Sequence, residues 1–372
     1  MNAREEIIGA FLDSAGWGAA ERNRLAGDAS TRRYERLKRG AEEAILMDQP
    51  PGAETAACPP DATPEEREAL GYNAIARLAG PNVRAFAAIG GFLRERGFSA
   101  PAILAHDYDN GLLLLEDLGD DLFNRVFANG VSPLELYPAA CTLLAELHAH
   151  RPPADLPLDD GSAYSLLTYD RTALEAEVRL LTDWYLPAIG ITLDDGTLAD
   201  YLAAWNRAWA DVAEDTSVLV LRDYHADNLI WLPERSGPAR IGLLDFQDGL
   251  RGHGAYDLVS LLQDARRDVT QAEEQAGYEA YVQAARTAQG GFDPESFAAA
   301  YAVFNAQRNA KIVGIFTRLW RRDGRPAYPP MVPRVWGYLG RALEHPALEP
   351  VRAWMDETVP PHLRGDPARL AA

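Results

Sequence analysis

Ile7, Ile8, Phe11 and Leu12 fall on one face of a helical wheel, and that spacing predicts an opening amphipathic helix. The apolar period then shortens. Residues 25–37 read as strand, turn and strand, and residues 44–47 as a short apolar strand ended by Gln49-Pro-Pro-Gly. Proline-, alanine- and glutamate-rich positions to about 66 read as a loop. Helical spacing returns over 64–79 and 82–96, before strands at 101–107 and 111–117 joined by Tyr108-Asp-Asn-Gly. Beyond Leu118-Gly119 helices dominate, over 121–128, 132–149, 170–186 and 197–213, then 254–267, 270–288, 293–321 and 331–343. Short buried-strand patterns interrupt them at 218–221 and 241–244. The expected architecture is α+β and bilobal. A small strand-rich lobe spans 1–115, a hinge 116–119 and a larger helical lobe 120–372, with no internal repeat.

Composition narrows the function classes. With 372 residues, 47% of them hydrophobic, two lobes are the better expectation than one. A net charge of −19 repels nucleic acid and anionic membranes, so neither is an expected partner. No run approaches the length of a membrane span, and the first residues lack the apolar core of a signal peptide; the expected location is cytoplasmic. Cys58 and Cys141 lack metal-ligand spacing and are expected to be free thiols. Lys38 and Lys311 are the only lysines among 36 basic residues, a scarcity that bears on how phosphate is held.

The densest chemistry lies in Leu221-Arg-Asp-Tyr-His-Ala-Asp-Asn228, followed by Leu244-Asp-Phe-Gln-Asp. A buried strand delivers Asp223 to a loop, Asn228 follows five positions later, and a second strand carries Asp245 at its end. Phosphoryl transfer needs one group to orient an acceptor hydroxyl and oxygen ligands for Mg²⁺ bridging the phosphates. Asp223 suits the first task, Asn228 and Asp245 the second.

These stretches resemble the aminoglycoside-phosphotransferase and choline-kinase branch of the protein-kinase-like fold. The matching motifs include Gly27-Asp-Ala-Ser-Thr-Arg-Arg-Tyr, Leu113-Leu-Leu-Glu-Asp-Leu-Gly-Asp, Tyr256-Asp-Leu-Val-Ser-Leu-Leu and Gln307-Arg-Asn-Ala-Lys-Ile-Val-Gly. Within that branch the chain resembles bacterial kinases that phosphorylate N-acetylmuramate and N-acetylglucosamine at C1 in peptidoglycan recycling. The resemblance implies ATP and Mg²⁺ as cofactors and an amino sugar as the small-molecule partner; it leaves the oligomeric state open. It makes Gly27, Ser30 and Thr31 a phosphate-covering turn, with Glu116 and Leu118 on the hinge facing adenine. Asp257 is expected to brace the catalytic loop through backbone N–H groups.

Two departures stand out. Leu221 replaces a histidine usual in the family. The third strand reads Ile45-Leu-Met-Asp, without the usual phosphate-holding lysine, and Lys38 is expected to face solvent. Arg32, Arg33 or Arg36 takes over, or backbone amides and metal suffice. Acceptor candidates are His225 and Asp227 on the loop, Tyr169, Asp170, Arg171, Glu175 and Trp184 from helices, and Arg308 with Lys311, which share a helix face. That pair would receive the lactyl carboxylate of muramate. His148 and His150 are read as compensating a helix C-terminus. The alternatives are a kinase of another small alcohol, such as an aminoglycoside or choline, and a nucleotide-binding pseudokinase.

Overall fold

A computed structural model describes residues 3–25, 32–52 and 57–371. Two compact units result. The first combines Met1–Gly130, Pro152–Leu167 and Asp227–Gly249; the second combines Val131–Arg151, Thr168–Ala226 and Leu250–Ala372.

In the first unit, β1 (Glu21–Arg24), β2 (Arg33–Arg39), β3 (Glu42–Asp48), β4 (Ile103–Asp107) and β5 (Leu112–Glu116) form an antiparallel sheet in the order β1-β2-β3-β5-β4. Gly40, at φ +62°, takes the left-handed turn that reverses β2 into β3. Leu37, Ala44, Leu46, Leu112 and Leu114 pack with Ile8, Phe11 and Leu12 of the opening helix Ala3–Ser14. Alternation along the strand sends Leu113 and Leu115, also buried, to the other face. β1 lies ahead of the residues expected to form it. Glu21-Arg-Asn-Arg is a polar edge strand, so no apolar alternation announces it. The helix expected over 64–79 stops at Leu70 because Gly71 sits at φ +95°; a short turn, Tyr72–Ile75, follows.

Two more hairpin-like pairs belong to this unit. β6 (Asp155–Pro157) pairs with β7 (Ala163–Ser165). The second follows later in the chain, after β8 (Val218–Val220), where β9 (Leu229–Trp231) meets β10 (Ile241–Leu243). Three-residue strands are too short for a period-2 pattern to reveal, so β6, β7 and β9 were not foreseen.

The second unit is helical around Pro294–Arg321, which packs on Arg171–Leu180, Ala255–Leu262 and Val332–Leu343. Its only paired strands among the described residues are β8 and β11 (Leu250–Gly252). The helix expected over 170–186 changes at Leu181 into a π-helical segment, Leu181–Tyr185, where it meets the long helix. Gly314 makes that meeting close, because a Cβ there would run into the Leu180 carbonyl group. No helix among the described residues is long and apolar enough to cross a membrane.

Gly314→Ala therefore overpacks the crossing, with an expected loss of about 1–3 kcal/mol. A lowered thermal midpoint would register it; an unchanged midpoint would show that the helices separate freely.

Candidate active site

Pairing register places Asn228 beside Asp245. Leu229 opposes Leu243 across β9 and β10, so the residues flanking them meet, and the Leu244 N–H donates to the Asn228 carbonyl at 3.0 Å. Asp245 follows with φ +56°, a left-handed conformation that aspartate tolerates better than most residues. Its Oδ2 lies 3.5 Å from Asn228 Nδ2, and its Oδ1 accepts Gln247 Nε2 at 3.0 Å. Arg32 Nη2 reaches the same Oδ1 at 2.8 Å. Phe246, fully buried, stacks on Phe86 with ring centroids 4.6 Å apart, and Asp248 accepts the Ala79 N–H at 2.6 Å. Arg235 ties this hairpin to the sheet through Ser99 Oγ and Glu116, each at 2.8 Å.

The donor set fits a hard divalent cation. Asn228 and Asp245 offer oxygens, and Asp245 already attracts a cationic guanidinium. Gln247 Oε1, buried beside them, has no hydrogen-bond partner, an acceptor that water on such a cation would satisfy. Among the described residues no three His, Cys, Asp or Glu side chains gather as a cation cage. Two protein ligands supplemented by phosphate oxygens and water is the usual arrangement for Mg²⁺.

The same sheet sorts the arginines near β2. Arg36 is committed to Asp117 at 2.5 Å and Asp120 at 2.6 Å, and the Asp117 carboxylate also accepts the Gly119 N–H. Arg33 is exposed, and Lys38, exposed as expected, lies 3.5 Å from Glu43. Arg32 alone among these contacts Asp245. Gly27, Ser30 and Thr31 lie outside the described residues.

In the second unit, β8 runs into Leu221 and Arg222, whose N–H groups donate to Asp257 at 2.6 and 2.8 Å. Ser260 Oγ holds the Arg222 carbonyl at 3.2 Å. Arg222 adopts φ +69°, an unfavourable conformation for a long side chain that turns the chain toward Asp223. Its guanidinium forms a buried ion pair with Glu177, which is wholly excluded from solvent. Glu177 also accepts Lys311 Nζ at 2.7 Å, Gln307 Nε2 at 2.9 Å and the Tyr169 hydroxyl. These partners hold the carboxyl below its ordinary range even though burial pushes the other way.

Several candidates occupy framework positions. Tyr169 and Lys311 converge on Glu177; Asp170 caps the helix Arg171–Leu180 by accepting the Ala173 N–H at 3.0 Å. Arg171 pairs with Glu214 at 2.8 Å. Glu175 and Trp184 are half-buried. His225 is buried 3.4 Å from Arg266, and Asp227 accepts a hydrogen bond from Asn124. Arg308 is 5% exposed, with a buried Nη1 that makes no hydrogen bond. It shares a face with Lys311, but only Lys311 engages Glu177. Glu177 itself escaped sequence reading, since a glutamate on an amphipathic helix normally faces water. His148 corrects another expectation. It is fully buried, with Nδ1 2.9 Å from the Tyr281 hydroxyl, and burial pushes it down to about 3. A neutral imidazole offers no charge to a helix terminus.

A family model described as "Phosphotransferase enzyme family" matches residues 21–299. The chain is 47% identical over 97% of its length, and 98% of the relative's, to an N-acetylmuramate/N-acetylglucosamine kinase of Caulobacter vibrioides. It is 32% identical to a kinase of the same description from Pseudomonas aeruginosa, covering 92% of this chain and 93% of the other. The fold matches the ADP-bound structure of aminoglycoside phosphotransferase APH(2'')-Ib with a TM-score of 0.53 at 15% identity, covering 92% of this chain and 99% of that one.

Burial raises the Asp257 carboxyl to about 7, outweighing the Leu221 and Arg222 N–H donors that lower it. Its folded pKa thus exceeds the unfolded value of about 3.9. The stability it confers is complete below about pH 4 and disappears as pH rises through 7. Asp257→Asn should therefore be most destabilised relative to the parent near pH 4–5, with the deficit shrinking toward pH 8 in urea titrations. A deficit that grows with pH would mean the carboxylate is held ionised. Glu177→Ala leaves the buried Arg222 and the partly buried Lys311 without their carboxylate, an expected loss of about 3–5 kcal/mol in denaturation. Lys311→Met in that background should recover part of it; no recovery would place the cost elsewhere.

Proposed function

The chain belongs to the phosphotransferase enzyme family, and we propose that it transfers the γ-phosphoryl group of ATP to the C1 hydroxyl of N-acetylmuramate and N-acetylglucosamine. The observation that carries this reading is the 47% identity, over nearly the whole of both chains, to the Caulobacter vibrioides kinase. Such a product belongs to peptidoglycan recycling.

In this reading Asp223 is the base. It accepts a hydrogen bond from the C1 hydroxyl and takes its proton as the oxygen bonds to phosphorus. An anomeric hydroxyl is more acidic than other sugar hydroxyls, so general-base help of about 10²–10⁴-fold is enough. The grip of Asp257 on two backbone N–H groups and the Glu177–Arg222 ion pair keep Asp223 from drifting with its loop. Asn228 and Asp245 hold Mg²⁺, which when bound neutralises charge on the transferred group. At the hinge the Glu116 N–H is spent on the Ala102 carbonyl at 2.8 Å, so Leu118 supplies the amide that faces adenine. Arg308 is the better candidate for the lactyl carboxylate, because Lys311 already donates to Glu177 and Tyr256 while Arg308 Nη1 is buried without a hydrogen bond.

Asp223→Ala is expected to abolish turnover and leave nucleotide affinity nearly unchanged. ATP consumption with Mg²⁺, with and without each sugar, tests the substrate. Phosphorus NMR should show product phosphate coupled to the anomeric proton. Sugar-independent ATP loss, or coupling to another proton, would sink the assignment. Arg308→Gln should raise KM for N-acetylmuramate about tenfold or more while sparing N-acetylglucosamine; equal losses would remove it from the carboxylate.

A further inference from the structure

We propose that Arg32 performs the task of the absent strand lysine and, before nucleotide arrives, stands in for the metal ion at Asp245. The inference rests on the metal role proposed for Asp245. Its geometric basis is the 2.8 Å contact of Arg32 Nη2 with Asp245 Oδ1, between side chains 12% and 27% exposed. A half-buried carboxylate at positive φ, carrying one negative charge, is neutralised by one guanidinium.

The other cations near β2 are occupied or turned away. Arg36 spends its guanidinium on Asp117 and Asp120, Lys38 faces solvent beside Glu43, and Arg33 is exposed. β3 places Asp48 near where a phosphate-holding cation would be sought, and Arg4 neutralises it with Nε at 3.0 Å from Oδ1. Arg32 is also the first described residue after the Gly27-to-Thr31 stretch expected to cover the phosphates.

A divalent cation and a guanidinium compete for the same carboxylate oxygen. With metal–nucleotide bound, Arg32 would leave Asp245 for phosphate oxygens, which a guanidinium can bind with two parallel N–H donors. The arginine changes one anion for another, so its positive charge is never left unpaired. Metal without nucleotide offers it no such exchange, and the ion pair then opposes metal binding.

The test separates the two steps. Mn²⁺ binding is followed by electron paramagnetic resonance without nucleotide, and fluorescent ADP binding with Mg²⁺, in the parent, Arg32→Ala, Arg32→Lys and Asp245→Asn. Circular dichroism melting confirms that each variant folds. Arg32→Ala should bind Mn²⁺ alone about tenfold more tightly, bind Mg²⁺–ADP about tenfold or more weakly, and lower kcat. Arg32→Lys should recover part of the ADP affinity. Mn²⁺ affinity that is unchanged or weaker in Arg32→Ala would overturn the stand-in role, and unchanged ADP affinity would overturn the phosphate role. If Asp245→Asn binds Mn²⁺ as the parent does, the metal assignment itself fails, independently of Arg32.

Discussion

Two cations converge on one fully buried carboxylate, and the second unit is built to make that tolerable. Glu177 sits at zero exposure and is met by Arg222, Lys311, Gln307 and Tyr169 from three separate segments of the chain. Removing a carboxylate from water costs several kcal/mol, recovered only when charge and every lone pair are matched. The matching sets the rotation of the helix Arg171–Leu180 about its axis and the register of the long helix Pro294–Arg321. It also anchors the side chain of the residue that immediately precedes Asp223.

Backbone strain is placed with similar economy. Three non-glycine residues among those described have positive φ, and two of them, Arg222 and Asp245, border the proposed chemistry. Such conformations cost on the order of 1–3 kcal/mol each and persist only where the surroundings over-determine them. At Arg222 the surroundings are Asp257, Ser260 and Glu177; around Asp245 they are the β9–β10 register and the buried Phe246. Of these two, Asp245 belongs to the first unit and Arg222 to the second, each fastened by its own surroundings.

Much of this could be read before any coordinates. Long helices with strong periodicity, the leucine-rich β5 and the reversal at Gly40 follow from pattern and turn chemistry. The pairing of Asn228 with Asp245 came from their motif spacing, whereas the β9–β10 register that brings them together did not. Asp257 was expected as a brace alongside the family resemblance, and the Leu221 and Arg222 N–H groups do donate to it. What escaped reading has definite causes. β1 is polar throughout, β6, β7 and β9 are three residues long, and the π-helical segment answers to a crossing partner over a hundred positions away. Glu177 and Arg32 escaped for another reason: the partner of a charged side chain is set by tertiary packing, which no local spacing encodes.

Lysine scarcity acquires a meaning from where the two lysines lie. Lys311 is enclosed by Glu177 and Tyr256, and Lys38 stands in solvent on β2. Nucleophilic attack on an acyl donor needs an accessible amine, and Lys311, donating to Glu177 and Tyr256, is far less accessible than Lys38. Of the two side-chain amines, Lys38 is thus the one open to acylation or to carbamylation by cyanate. Guanidinium groups are far weaker nucleophiles, so acylation leaves all but two of the chain's 36 basic side chains with their charge.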